Sequence, residues 1–178
     1  MIVTHMTVRK IALYILPWLM MLAACNRKPV IELEQENSAL VKENMINANR
    51  VVIQSEGTQI ESYVSRRGWT MQALPSGALY WEYAQGDGAQ VAAQDNVEVT
   101  YRLEALDGTP IYTHQIDTLE VGKRQVTPAL DDMLQQVRYG SKVWLIAPSN
   151  SAYGVVGDGD RVQSRMVIIY NVTNIKKI

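Results

Sequence analysis

The chain has 178 residues, a 47% hydrophobic share and a formal net charge of -1, enough for one packed domain with extensions. No Lys/Arg run or basic patch supplies the electrostatic footprint of a nucleic-acid binder. One cysteine excludes an intrachain disulfide.

Residues 1–24 read as a signal peptide rather than as fold. Arg9 and Lys10 form a positive start, and Ile11 to Met21 is an apolar run too short to span a bilayer with normal flanks. Leu22-Ala23-Ala24-Cys25 follows. Small residues before a cysteine at this place resemble a bacterial lipobox. The resemblance implies cleavage before Cys25, diacylglycerol on its sulfur, and a lipid-anchored protein of the cell envelope, on the outer membrane facing the periplasm. Once the residues before Cys25 are removed and its sulfur carries lipid, His114 stands alone, and a His/Cys metal cluster or a Cys–His nucleophile lacks its parts. Met6 is an alternative start, because residues 6–24 keep every element of the signal.

Residues 25–42 read as a tether. The stretch from 31 to 44, which runs just past its end, is rich in Glu, Gln and Asn and suits a solvated helix or a disordered stalk. Residues 43–68 read as an N-terminal helix. Ile46, Ile53 and Ile60 recur every seven residues, with Val52, Tyr63 and Val64 on or beside the same side. Asn49 and Glu56 also fall on that face and break it. Gly57 weakens the helix locally by ~1 kcal/mol, and Gly68 suits its C-cap. The face has two readings: packing on the chain's own sheet, or pairing with a second copy in a dimer. Asn49 and Glu56 at core positions of the heptad favour the first.

Residues 69–178 carry the domain. Leu79 to Ala84 reads as a strand after Arg66-Arg67-Gly68-Trp69, and Gly86-Asp87-Gly88 as a turn. Val97 to Leu106 alternates as a strand, Asp107-Gly108 turns the chain, and Ile116 to Val121 forms another strand. Pro128 opens a short helix, Ala129 to Gln136. Lys142 to Ala147 is a strand, Pro148 to Arg165 a long loop, and Met166 to Ile175 a final strand with a nearly continuous apolar run. Gly154 to Asp160 lacks the ligand series of a calcium loop and reads as a flexible flap.

From Val97 onward, six landmarks keep one order and spacing. They are Val97 to Leu103, Leu106-Asp107-Gly108, Leu119 to Gly122 with Val126 to Leu130, Tyr139 to Lys142, Ala152-Tyr153-Gly154, and Val167 to Val172. In this order they resemble the FKBP-type peptidyl-prolyl isomerases. The Arg-Arg-Gly-Trp start resembles the FKBP-domain lipoproteins of Bacteroidota, including gliding-associated ones. The resemblance implies an α+β fold in which a curved antiparallel sheet wraps a short helix. It implies cis-trans isomerisation of X–Pro bonds in proline-containing polypeptide clients, without metal or other cofactor. It assigns the ligand-bonding hydroxyl to Tyr153 and cup walls to Tyr101 and Tyr170. Val126 and Thr127 match the pair whose backbone N–H meets the ligand, and Leu130 the floor. Ile111 and Tyr112 stand where the family carries Phe-Asp, Leu130 where it often carries Trp, and Asp117 where it carries an aromatic. With no phenylalanine in the chain, the cup keeps its apolar character but loses aromatic walls and the buried acid beside Ile111. Weak isomerase activity is therefore the expectation. The alternative is a catalytically impaired chaperone or binding module in envelope assembly, secretion or gliding.

Overall fold

The structure, a computed structural model, describes residues 30–178, with side chains from residue 38 onward. The signal peptide and Cys25 lie outside the described residues. The chain falls into two units, Met1–Ala48 and Asn49–Ile178.

Helix α1, Val30–Arg67, begins thirteen residues before the expected start at 43, so most of the expected tether is helical. Its first half is built from good helix formers such as Glu, Gln, Leu and Lys, with no Gly or Pro from Val30 to Glu56 to interrupt it. In that half Leu40, Val41, Met45 and Ile46 are exposed. The helix ends in a Schellman motif. The Trp69 N–H donates to the Val64 carbonyl (3.2 Å) and the Gly68 N–H to the Ser65 carbonyl (3.1 Å), with Gly68 at φ +64°. That turn seats Trp69 against Tyr63 and Trp144, at ring-centroid distances of 5.8 and 5.0 Å.

Six strands follow: β1 Gln72–Ala73, β2 Leu79–Ala84, β3 Asn96–Ala105, β4 Pro110–Glu120, β5 Lys142–Ala147 and β6 Ile168–Lys177. They form one antiparallel sheet in the order β1-β2-β5-β6-β3-β4. Irregularities in the β2–β5, β3–β4 and β3–β6 ladders curl it. Helix α2, Pro128–Leu134, packs on one face, where Ala129, Leu130, Met133 and Leu134 join Val97, Val99, Leu103, Leu145, Tyr170 and Val172 in the main core. The opposite face is covered by the end of α1. Ile60 and Tyr63 pack there with Ile146 and Ile169, flanked by Val64, Trp69 and Trp144. Paired residues Leu145–Tyr170 point to one side and Ile146–Ile169 to the other. With both faces covered, Ile168 to Val172 are all buried, which is the physical cause of the apolar run in the last strand.

The buried face of α1 differs from the expected stripe. It runs through Glu56, Ile60 and Tyr63, with Val52 and Val64 half-buried, while Ile46 and Ile53 are exposed. A straight helix turns in 3.6 residues, so isoleucines spaced by seven drift off any one face. Ile53→Asp is therefore expected to change stability by no more than ~0.5 kcal/mol, whereas Ile60→Asp costs ~2–4 kcal/mol. Ile53 is 49% exposed and Ile60 only 3%. Urea unfolding of the two variants checks the contrast; equal losses would show that Ile53 is also buried.

Candidate active site

The face of the sheet under α2 does not close completely. Between β3, β4, β6, the start of α2 and the loop after β5 lies a cavity of about 360 Å³. Tyr101 of β3 and Tyr170 of β6 line it, their rings 5.3 Å apart and tilted by 57°. Alternation along each strand turns both side chains inward, with Val97, Val99 and Leu103 on one strand and Ile168 and Val172 on the other.

The segment before α2 supplies Gln125, Val126, Thr127 and Pro128 to the same cavity, and Leu130, from the first turn of α2, lines it as well. The loop is held in place by polar ties to the helix behind it. The Gly122 N–H donates to Asp131 (2.8 Å), and the Arg124 guanidinium pairs with Asp132 (2.9 Å) and donates to the Pro128 carbonyl (3.1 Å). Thr127 stands at the N-cap of α2, but its hydroxyl does not cap the helix; it pairs with the Tyr170 hydroxyl at 2.9 Å. Pro128 at the first helical position has no N–H to satisfy, so that loss costs little.

Ala152 and Tyr153 complete the lining. They follow a single 3-10 turn, Ser149–Ser151, and the loop is closed by the Gly154 N–H to the Ser149 carbonyl (2.8 Å) and the Arg165 N–H to the Gly154 carbonyl (2.8 Å). Burial raises the pKa of Tyr153, Tyr101 and Tyr170. All three hydroxyls are therefore neutral donors across the physiological range.

The structure thus brings together Tyr101, Val126, Thr127, Leu130, Tyr153 and Tyr170, six of the residues expected at the site. Ile111 and Tyr112 do not line the cavity. Ile111 is buried in the main core, and Tyr112 packs at its edge. The ladder between β3 and β4 shifts between the pairs Tyr101–Gln115 and Leu103–Tyr112. The shift changes which residues of β4 face inward, and nothing in the local sequence marks it.

The site nevertheless carries an acid, at the position where the resemblance implies an aromatic wall. Asp117 lines the cavity, and its carboxylate accepts a 2.6 Å hydrogen bond from the Tyr101 hydroxyl. The acid lost beside Ile111 is matched by one five residues further along β4. In the sequence Asp117 reads only as a missing aromatic; its pairing with Val99 across the ladder is what turns it inward.

Tyr112 also has an acidic acceptor. It donates to Asp158 at 2.6 Å, with Asp160 3.3 Å away. The bond to Asp158 pushes the Tyr112 pKa up to about 12. At Asp158 burial opposes ionisation, but the Tyr112 hydroxyl and the N–H groups of Asp160 and Val162 outweigh it and hold the carboxyl below its ordinary value. The segment from Gly154 to Asp160, expected to be a free flap, is thus tied to β4.

Residues 88–174 match the family model described as FKBP-type peptidyl-prolyl cis-trans isomerase. The chain is 28% identical over 108 residues to a curated protein of Neisseria meningitidis serogroup B described as probable FKBP-type peptidyl-prolyl cis-trans isomerase FkpA. That match covers 60% of this chain, and the chain spans only 40% of the relative's length. Among solved structures, a peptidyl-prolyl cis-trans isomerase from Pseudomonas syringae pv. tomato superposes with a TM-score of 0.57 and 25% identity, over 72% of this chain and 92% of that one. AtFKBP13 superposes with a TM-score of 0.55 and 19% identity, over 62% of this chain and all of that one, a likeness of fold alone. Residues 88–174 thus match the FKBP-type peptidyl-prolyl cis-trans isomerase family as a domain, over just under half of the chain.

The Tyr112–Asp158 tie has a titration signature. The difference in alkaline absorbance between wild type and Tyr112→Phe is expected to show a tyrosinate forming near pH 12, against about 10 for a free tyrosine. In an Asp158→Asn background the same difference should move down. Because the folded value is raised, the tie stabilises the fold fully below about pH 10 and loses its effect as pH rises towards 12. A wild-type difference centred at 10 would show that the tie is not made.

Proposed function

We propose that this protein catalyses cis-trans isomerisation of X–Pro bonds in polypeptides of the cell envelope. The observation that carries this reading is the cavity itself: apolar walls from Val126, Leu130 and the rings of Tyr101 and Tyr170, interleaved with polar groups, with the neutral hydroxyl of Tyr153 among them. The reaction asks for little else. The barrier of about 18–20 kcal/mol comes from amide resonance, so no bond to the substrate has to form. Val126, Leu130 and the rings of Tyr101 and Tyr170 receive the proline ring and exclude water, which weakens the hydration of the planar, charge-separated amide. The Tyr153 hydroxyl donates to the preceding carbonyl and stays bonded as the peptide twists.

The activity is weak in this reading. Leu130 gives a smaller floor than an indole, and Asp117 replaces an aromatic wall with a carboxylate. That carboxylate also favours a second reading, an impaired chaperone or binding module that holds client chains without turning them over. A protease-coupled assay on a proline tetrapeptide separates the two. Tyr153→Phe is expected to cost one hydrogen bond, ~0.5–1.5 kcal/mol, or up to roughly tenfold in kcat/KM. A wild-type rate equal to the uncatalysed one would leave only the binding module.

The protein is anchored, in this reading, by lipid on Cys25 in the outer membrane, with its domain in the periplasm. The Leu22-Ala23-Ala24-Cys25 ending supports this, and stable anchoring takes more than one acyl chain. Wild type should incorporate labelled palmitate, and Cys25→Ala should move the protein into the soluble fraction; an unlabelled wild type argues against the anchor. Ile46 and Ile53, seven residues apart and both exposed, are the side chains by which α1 would pair with a second copy. Sedimentation of the soluble Cys25→Ala protein reads that pairing, and a monomer at micromolar concentration excludes it.

A further inference from the structure

The two residues that break the apolar face of α1, Asn49 and Glu56, both reach the loop that carries Tyr153. Glu56 is only 5% exposed. Its carboxylate accepts two hydrogen bonds from Ser149, one from the backbone N–H at 2.9 Å and one from the hydroxyl at 2.6 Å. Ser149 begins the 3-10 turn, and its own carbonyl accepts from the N–H groups of Ala152 (3.2 Å) and Gly154 (2.8 Å). One residue is thus gripped by Glu56 on one side and by the turn around Ala152 and Tyr153 on the other. Two helical turns earlier, the Asn49 side-chain oxygen accepts from the Arg165 guanidinium at 3.3 Å, and the Arg165 N–H closes the same loop on the Gly154 carbonyl. The helix holds the loop at its beginning and at its end.

The chemistry of the position argues for placement rather than packing. A leucine at residue 56 would bury itself at no polar cost, whereas a carboxylate removed from water needs partners and is often no more stabilising than an apolar residue of similar volume. What a buried carboxylate adds is direction. It is satisfied only when the Ser149 N–H and hydroxyl both point at it, and that fixes the turn leading into Tyr153. We infer that Glu56 is a positioning residue for the Tyr153 hydroxyl, and that α1, which lies outside the matched residues 88–174, is therefore part of the working site. In its effect on turnover the inference rests on the isomerase reading; in its effect on the loop it does not.

The test uses the full chain with Glu56→Ala, Glu56→Gln and a control, Val97→Ala, which removes buried core volume on β3 without touching the loop ties. Two quantities are read: kcat and KM on a proline tetrapeptide, and amide exchange at Gly154. Glu56→Ala should lower kcat about tenfold with little change in KM, because a misaimed donor acts in the transition state. It should also speed exchange at Gly154 by at least about tenfold, whereas Glu56→Gln, which keeps one acceptor oxygen for the Ser149 N–H and can donate its amide to the Ser149 hydroxyl, should stay within about threefold of wild type in both. Val97→Ala, though destabilised, should keep the wild-type kcat and Gly154 exchange. Glu56→Ala with wild-type kcat and exchange overturns the inference, and so does a Val97→Ala variant that loses both equally. If the wild type shows no isomerase activity, the isomerase reading fails, and the Gly154 exchange of the three variants decides the placement role alone.

Discussion

The first half of strand β6, Ile168 to Val172, has no solvent face, and most of this structure follows from that. Its residues alternate between two buried environments, with Ile168, Tyr170 and Val172 towards α2 and Ile169 towards α1. Each large apolar side chain so buried contributes about 1.5–3 kcal/mol relative to exposure. Neither helix can be omitted without exposing one side of the central strand. The one polar side chain in the run, Asn171, is tolerated because its oxygen accepts from the Tyr83 hydroxyl at 3.3 Å. The same alternation that buries Ile169 under the helix turns Tyr170 into the cavity, so the placement of a site residue and the docking of α1 are set by one strand.

The cavity shows how polar atoms survive in such a core. An unpaired hydroxyl there would cost about 1–3 kcal/mol. Tyr170 meets Thr127, Tyr101 meets Asp117, and burial keeps the phenols neutral. Thr127, a polar residue in the segment that lines the cup, is explained by this pairing. Its hydroxyl gives up capping α2 in order to satisfy a tyrosine buried across the cavity.

Much of this was legible in the sequence, and what escaped has a common cause. The strands β2, β3, β5 and β6 and the short helix announce themselves by alternation, by Asp107-Gly108 and by Pro128. The lining tyrosines are legible through motif order, above all Ala152-Tyr153-Gly154. Asp117 is legible in position but not in role: alternation with Leu119 turns it inward, while the Tyr101 hydroxyl it accepts from belongs to the neighbouring strand. Asp158 was misread as part of a free loop because its partner, Tyr112, lies 46 residues away. The start of α1 was placed too late because a charged, amide-rich stretch has no apolar period to reveal it, although its helix propensity is good. Asn49 and Glu56 were read correctly as defects of an apolar face. Their partners, 116 and 93 residues distant, belong to the tertiary fold.

That defects should become anchors fits what prolyl isomerisation demands of a protein. A catalyst that forms no bond to its substrate gains its rate from where an apolar wall and a few donors stand, and small displacements of those groups carry large costs. Tyr153 sits on a loop whose buried apolar hold on the main core is limited to Ala152 and Val162, with Tyr153 itself packed against it. Apolar packing cannot supply the missing constraint, because it is non-directional and tolerates sliding. A buried carboxylate facing two donors at 2.6 and 2.9 Å is directional in both distance and angle. Placed on a helix that is itself pinned by Ile60 and Tyr63 against the central strands, it transfers the rigidity of the core to the loop that carries the hydroxyl.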